Sequence, residues 1–183
     1  MVGAAECKDD WFSDPRDLEF ATAVNAVVTG WRTPPTGFRI DPPTGDFPLV
    51  AWMDVIADGV AILTVGVHFF GDRIVCDEVH NQLTSLPLEP TEMERRAVGS
   101  PALLAEVAGD WLLSVVARPY RREEWVHRRS VYAFRYVVAD SGQTLCGAFD
   151  PSSAPQRFSR RADRARFSEL GPADRGVAVD VEY

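Results

Sequence analysis

Lysine is almost absent from this 183-residue chain: Lys8 stands alone against eighteen arginines. Protein physics does not require that ratio, so it is a coding bias and points to a GC-rich genome. Cysteine is scarce as well. Cys7, Cys76 and Cys146 are odd in number and far apart, with no CxxC pair, which excludes a disulfide framework and a structural zinc site and fits a reducing cytosol. No long apolar run is present. The longest strand-like stretch, VAILTVGVHFF (60–70), is about half of what a membrane helix needs. The start, MVGAAECKDDWF, lacks the basic-then-apolar pattern of a signal peptide. A cytoplasmic protein that does not enter membranes is expected. P-loop, GxGxxG, GxSxG, HExxH and EF-hand patterns are all missing, so no cofactor or metal is expected.

What is present is an ordinary globular composition with an uneven charge. The length fits one domain, here assigned to 1–150, followed by a polar segment, 151–183. The net charge is −8, but residues 1–94 carry 16 Asp/Glu against 5 Lys/Arg, whereas residues 95–183 carry 11 against 14. An acidic first half repels phosphate backbones and attracts basic surfaces. Nucleic acid is therefore excluded as a partner, and a basic protein is favoured.

Ser13 or Asp14, Pro15 and the acidic first turn predict a helix whose face is Phe20, Val24, Val27 and Trp31. The Pro/Gly stretch 32–48 reads as a stiff loop. A meander follows: LVAWMDVIA (49–57), an Asp58-Gly59 turn, the return strand 60–70, a Gly71-Asp72 turn and RIVCDEVHN (73–81). Pairing 57 with 60 places Leu49, Ala51, Met53 and Val55 beside Ile62 and Thr64, and Trp52 beside Leu63, Val65 and Val67. Both faces then come out apolar, which predicts a sheet covered on both sides and, with it, a homodimer or an obligate partner. A connector with a turn of helix at 91–97 leads to a second helix, opened by Ser100-Pro101 and closed by Arg118-Pro119. Strands at 122–128, 130–139 and 143–149 form a second meander, and a short basic helix is predicted at 158–169. The order α-βββ-α-βββ makes an α+β fold with a mostly antiparallel sheet and two helices packed on it.

His68, Cys76, Asp77, Glu78 and His80 crowd one hairpin. If 70 pairs with 73, His68 lies opposite 75 and the two histidines face opposite ways. If 70 pairs with 74, Cys76 faces His68, but His80 lies four residues along, roughly 13 Å away. Neither register closes a metal site. Asp77 and Glu78 are strand neighbours and point apart. Should the chain be an enzyme, His68, Cys76 and Glu78, with Asp54 as a further candidate, would be its polar groups, in a pocket between sheet and helices. The run RREEWVHRRS instead offers Arg121, Arg122, Trp125, Arg128 and Arg129 as partner-binding residues, because Arg and Trp anchor protein interfaces most often.

The segment DWLLSVVARPYRREEWVHRRSVYAFRYVVADSGQTL (110–145) resembles a recurring segment of uncharacterised actinobacterial proteins: a Trp-containing helix ending in RP, a Trp strand and a Tyr-rich strand. That resemblance implies a source and no function. The element order is also similar to that of the small acidic chaperones of type III secretion, by topology alone. The chain is thus expected to be a non-catalytic protein-binding module, such as an immunity protein or dedicated chaperone for a basic partner. The alternative is a small enzyme or ligand-binding domain.

Overall fold

A computed structural model describes residues 11–32, 35 and 37–154, and the backbone of 165–170. Helix α1 (Pro15–Thr29) starts where expected, with the Asp14 carboxylate accepting from the Arg16 N–H at 2.8 Å. Helix α2 (Pro101–Ala117) is capped by Ser100 and ends at Arg118. Strands β1 (Arg39–Asp41), β2 (Leu49–Ala57), β3 (Val60–Phe69), β4 (Arg73–Glu78) and β5 (Arg95–Val98) form one antiparallel sheet in that order. Strands β6 (Tyr120–His127), β7 (Ser130–Val138), β8 (Thr144–Phe149) and β9 (Ala165–Leu170) form a second, ordered β8-β7-β6-β9. The fold is α+β with antiparallel sheets, as the element order predicts. Four details differ, the first being that the two meanders belong to two separate sheets rather than one. The loop read at 32–48 contains β1, the helical turn read at 91–97 contains β5, and 165–169 of the basic helix read at 158–169 is strand. Residues 155–164 and 171–183 lie outside the described part.

The β2–β3 hairpin carries the main correction. Ala57 pairs with Val60 and Ile56 with Ala61, as the Asp58-Gly59 turn dictates, but Val55 pairs with Leu63. Ile62 is the extra residue of a β-bulge. Because strand side chains alternate, one added residue inverts every face beyond it. Leu49, Ala51, Met53 and Val55 therefore sit with Leu63, Val65, Val67 and Phe69, and all eight are buried in the core. The opposite face carries Val50, Trp52, Asp54, Thr64, Gly66 and His68, a mixed and largely polar set. The sheet is amphipathic rather than apolar on both sides, so the argument for a second copy loses its premise.

Both helices cover the apolar face. Phe20 of α1 stacks on Phe69, with ring centroids 4.3 Å apart. The helices cross at Gly109, where a β-carbon would lie 2.2 Å from Val27 Cγ1; only glycine lets the backbones come so close. Segment 79–94 runs across the polar face. Val79 packs on Gly66, the Thr84 carbonyl accepts from His68 Nε2 at 2.7 Å, and Thr91 donates to Asp77 through both its N–H and its hydroxyl. This strap explains how His68 and Asp77 come to be buried on a face the helices do not touch. Tyr120, Tyr136 and Val138 of the second sheet join the same core, and the Tyr120 hydroxyl donates to the Val115 carbonyl at 2.8 Å.

Candidate functional site

The β3–β4 register puts His68 opposite Val75 and Cys76 opposite Val67, the first of the two registers considered. His68 and Cys76 therefore occupy opposite faces of the sheet. Burial lowers the His68 pKa against the raising effect of its Thr84 bond, and burial pushes the Cys76 thiol up to about 12. Lying on opposite faces, the two side chains do not form a nucleophile–base pair with each other. His80 lies beyond the strand, its Nδ1 accepting from the Gln82 and Leu83 N–H groups. Among the described residues, no three His, Cys, Asp or Glu side chains gather as metal ligands.

Glu78 belongs to a different place. Its carboxylate accepts from Gln143 Nε2 at 2.6 Å, joining β4 to the turn before β8. Burial raises its pKa against the lowering effect of the Gln143 bond, and the charges of Asp77 and Glu92 add to the rise. It lines a cleft of about 210 Å³ between the two sheets, with Thr64, Asn81, Leu145 and Cys146. Sequence reasoning placed the pocket between sheet and helices and missed Cys146 as a lining residue. Only the pairing of the sheets brings Cys146 to Glu78.

The RREEWVHRRS residues do not share one surface. Arg122 points toward the first sheet, where its guanidinium meets Asp58 at 2.5 Å and lies over Phe134, 4.5 Å from the ring centroid. The Tyr136 hydroxyl donates to the same Asp58 carboxylate at 2.8 Å. That bond and the one from Arg122 lower the Asp58 pKa. Arg122 thus serves an internal latch. Arg121 and Trp125 lie on the other face of β6, where Glu123 bridges Arg121 and Arg135, and Arg135 sits over Trp125. Arg128 and Arg129 form the exposed β6–β7 turn, both at positive φ.

A second cleft, of about 400 Å³, opens at the far end of the first sheet. Two tight turns build it. In one, Thr44 and Phe47 exchange backbone hydrogen bonds around Gly45-Asp46, with Gly45 at φ 59°. In the other, the Phe70 N–H donates to the Arg73 carbonyl around Gly71-Asp72, with Gly71 at φ 86°. Both glycines take the left-handed backbone their turns require. The turns present Phe47, 65 % exposed, and Phe70, 38 % exposed, beside Asp46 and the α1 carboxylates Asp14 and Asp17. None of these three carboxylates makes an ion pair among the described residues. Burial, and then the charge of Asp14, raises the Asp17 pKa. The sequence held one usable signal, the acidic first turn of α1. The approach of two remote turns to it was not readable.

No family model, curated protein or solved structure matches this chain. Among the described residues, no helix is long and apolar enough to cross a membrane.

Proposed function

We propose that this protein is a non-catalytic binding module for a basic protein partner, in the manner of an immunity protein or dedicated chaperone. The carrying observation is the cleft at the start of α1: two exposed phenylalanine rings bordered by three carboxylates that are not ion-paired among the described residues. Buried aromatic anchors supply much of the binding energy at protein interfaces, and complementary charge speeds encounter. The −8 net charge extends that attraction beyond the cleft.

The test is capture by the immobilised full chain in low salt, wild type against the triple variant Asp14→Asn/Asp17→Asn/Asp46→Asn. Asparagine at 14 keeps the helix cap, so the variant changes charge rather than fold. A basic protein held by wild type, released by salt and not held by the variant supports the reading. Equal capture by both, or none by wild type, refutes it.

A second reading rests on the inter-sheet cleft, where a half-buried Glu78 with a raised pKa lines a small cavity. It makes the protein a ligand-binding domain. Loss of a small-molecule thermal shift in Glu78→Gln would favour it.

A further inference from the structure

The acidic cleft holds a cation of its own. Arg73 is the first residue of β4, paired by backbone with Val98, and its side chain turns into the cleft. Its guanidinium carbon lies 5.1 Å from the centroid of the Phe70 ring. Among the described residues its carboxylate contact is Asp72, at 3.8 Å, and the Arg73 side chain is 58 % exposed. A loosely held guanidinium on an exposed aromatic face is how an incoming basic side chain would bind there.

Building on the binding role proposed above, we infer that Arg73 is a resident competitor. It occupies the Phe70 face in the free protein and gives way to an arginine of the partner, one carried next to an apolar side chain that covers Phe47. Arg73 is well placed for this. The β4 backbone anchors it, so its side chain can swing out without disturbing the sheet. The departing guanidinium stays near Asp72, and the incoming one gains Asp14, Asp17 and Asp46 as counter-charges. The arrangement favours a partner bearing more than one cation, because a single arginine merely exchanges with Arg73.

The test uses the full chain and a fluorescent eight-residue peptide of alternating arginine and leucine, followed by anisotropy in low salt. A peptide with glutamine in place of arginine is the control. Removing the competitor with Arg73→Gln is expected to tighten peptide binding roughly two- to fivefold, the worth of one exposed cation–ring contact. Arg73→Lys keeps a cation at that position and is expected to stay within about twofold of wild type. Asp46→Asn is expected to weaken binding. If wild type binds the arginine peptide and Asp46→Asn weakens it, but Arg73→Gln leaves it unchanged or weaker, the competitor role is overturned and the cleft stands. If the arginine peptide binds no better than the glutamine control, or Asp46→Asn has no effect, the cleft fails as a basic-segment site and the inference falls with it.

Discussion

Replacing Gly109 with alanine tests the helix crossing on which the core depends. In an isolated helix the change is favourable by about 0.8–1.0 kcal/mol, because glycine is the poorer helix former. Here the new β-carbon would meet Val27 Cγ1 at 2.2 Å and Val27 Cβ at 3.3 Å. Carbon contacts are comfortable near 3.5–4.0 Å, so the first distance is short by more than an ångström. Val27 cannot easily rotate away, since a β-branched side chain in a helix has one strongly preferred rotamer. The helices must separate instead, and overpacking of this kind costs typically about 1–3 kcal/mol. After the propensity gain, a net loss of up to about 2 kcal/mol remains, or a fall of up to some 8 °C in melting temperature for a chain of this size. The assay is urea unfolding of wild type, Gly109→Ala, Val27→Ala and the double variant. Val27→Ala removes the obstructing methyls, so the double variant should be more stable than the two single losses predict, by at least about 1 kcal/mol. A stabilised Gly109→Ala, or losses that add within about 0.5 kcal/mol, would refute the crossing geometry.

Three further outcomes follow from the polar groups. His68 is held neutral, its pKa below the ordinary 6.5, so the unfolded chain binds the extra proton first. Its contribution to stability is present above pH 6.5 and is lost as pH falls from there through the folded value. Wild type should therefore lose more stability than His68→Gln in that window by urea titration; parallel curves would contradict it. Glu78 has the opposite sign: its raised pKa means the folded state loses stability as pH rises from about 4.5 through the folded value, and Glu78→Gln should remove that loss while keeping the bond from Gln143. Native alkylation at pH 8, mapped by mass spectrometry, should label half-buried Cys146 well before Cys76, whose thiol is pushed up to about 12; equal rates would count against the β4 burial.

Both helices were readable within a residue or so, because Asp14-Pro15 and Ser100-Pro101 are local signals whose effect ends within a turn. The Asp58-Gly59 and Gly71-Asp72 turns were readable for the same reason. The bulge at Ile62 was not. Nothing in VAILTVGV marks which residue will go unpaired, because the choice is made by the core: it places Leu63, Val65, Val67 and Phe69 inward together and leaves Thr64, Gly66 and His68 to the strap. Short edge strands such as β1 and β5 escaped because each is defined by a partner distant in sequence rather than by its own pattern. The cleft shares that origin, since Asp14, Phe47 and Phe70 become neighbours only after the hairpin has closed.

The helix pairing also bears on how the chain must be made. α1 packs chiefly on α2, yet α1 ends at Thr29 and α2 does not begin until Pro101. At about 5–20 residues per second, some 4–14 seconds of synthesis separate the two. Through that interval Val27 has no Gly109 to rest against, and the apolar side of α1 has only the nascent β2–β3 hairpin for shelter. The nascent chain is thus most vulnerable to aggregation in mid-synthesis, and slowing translation between the helices should lower the soluble yield without altering the finished fold.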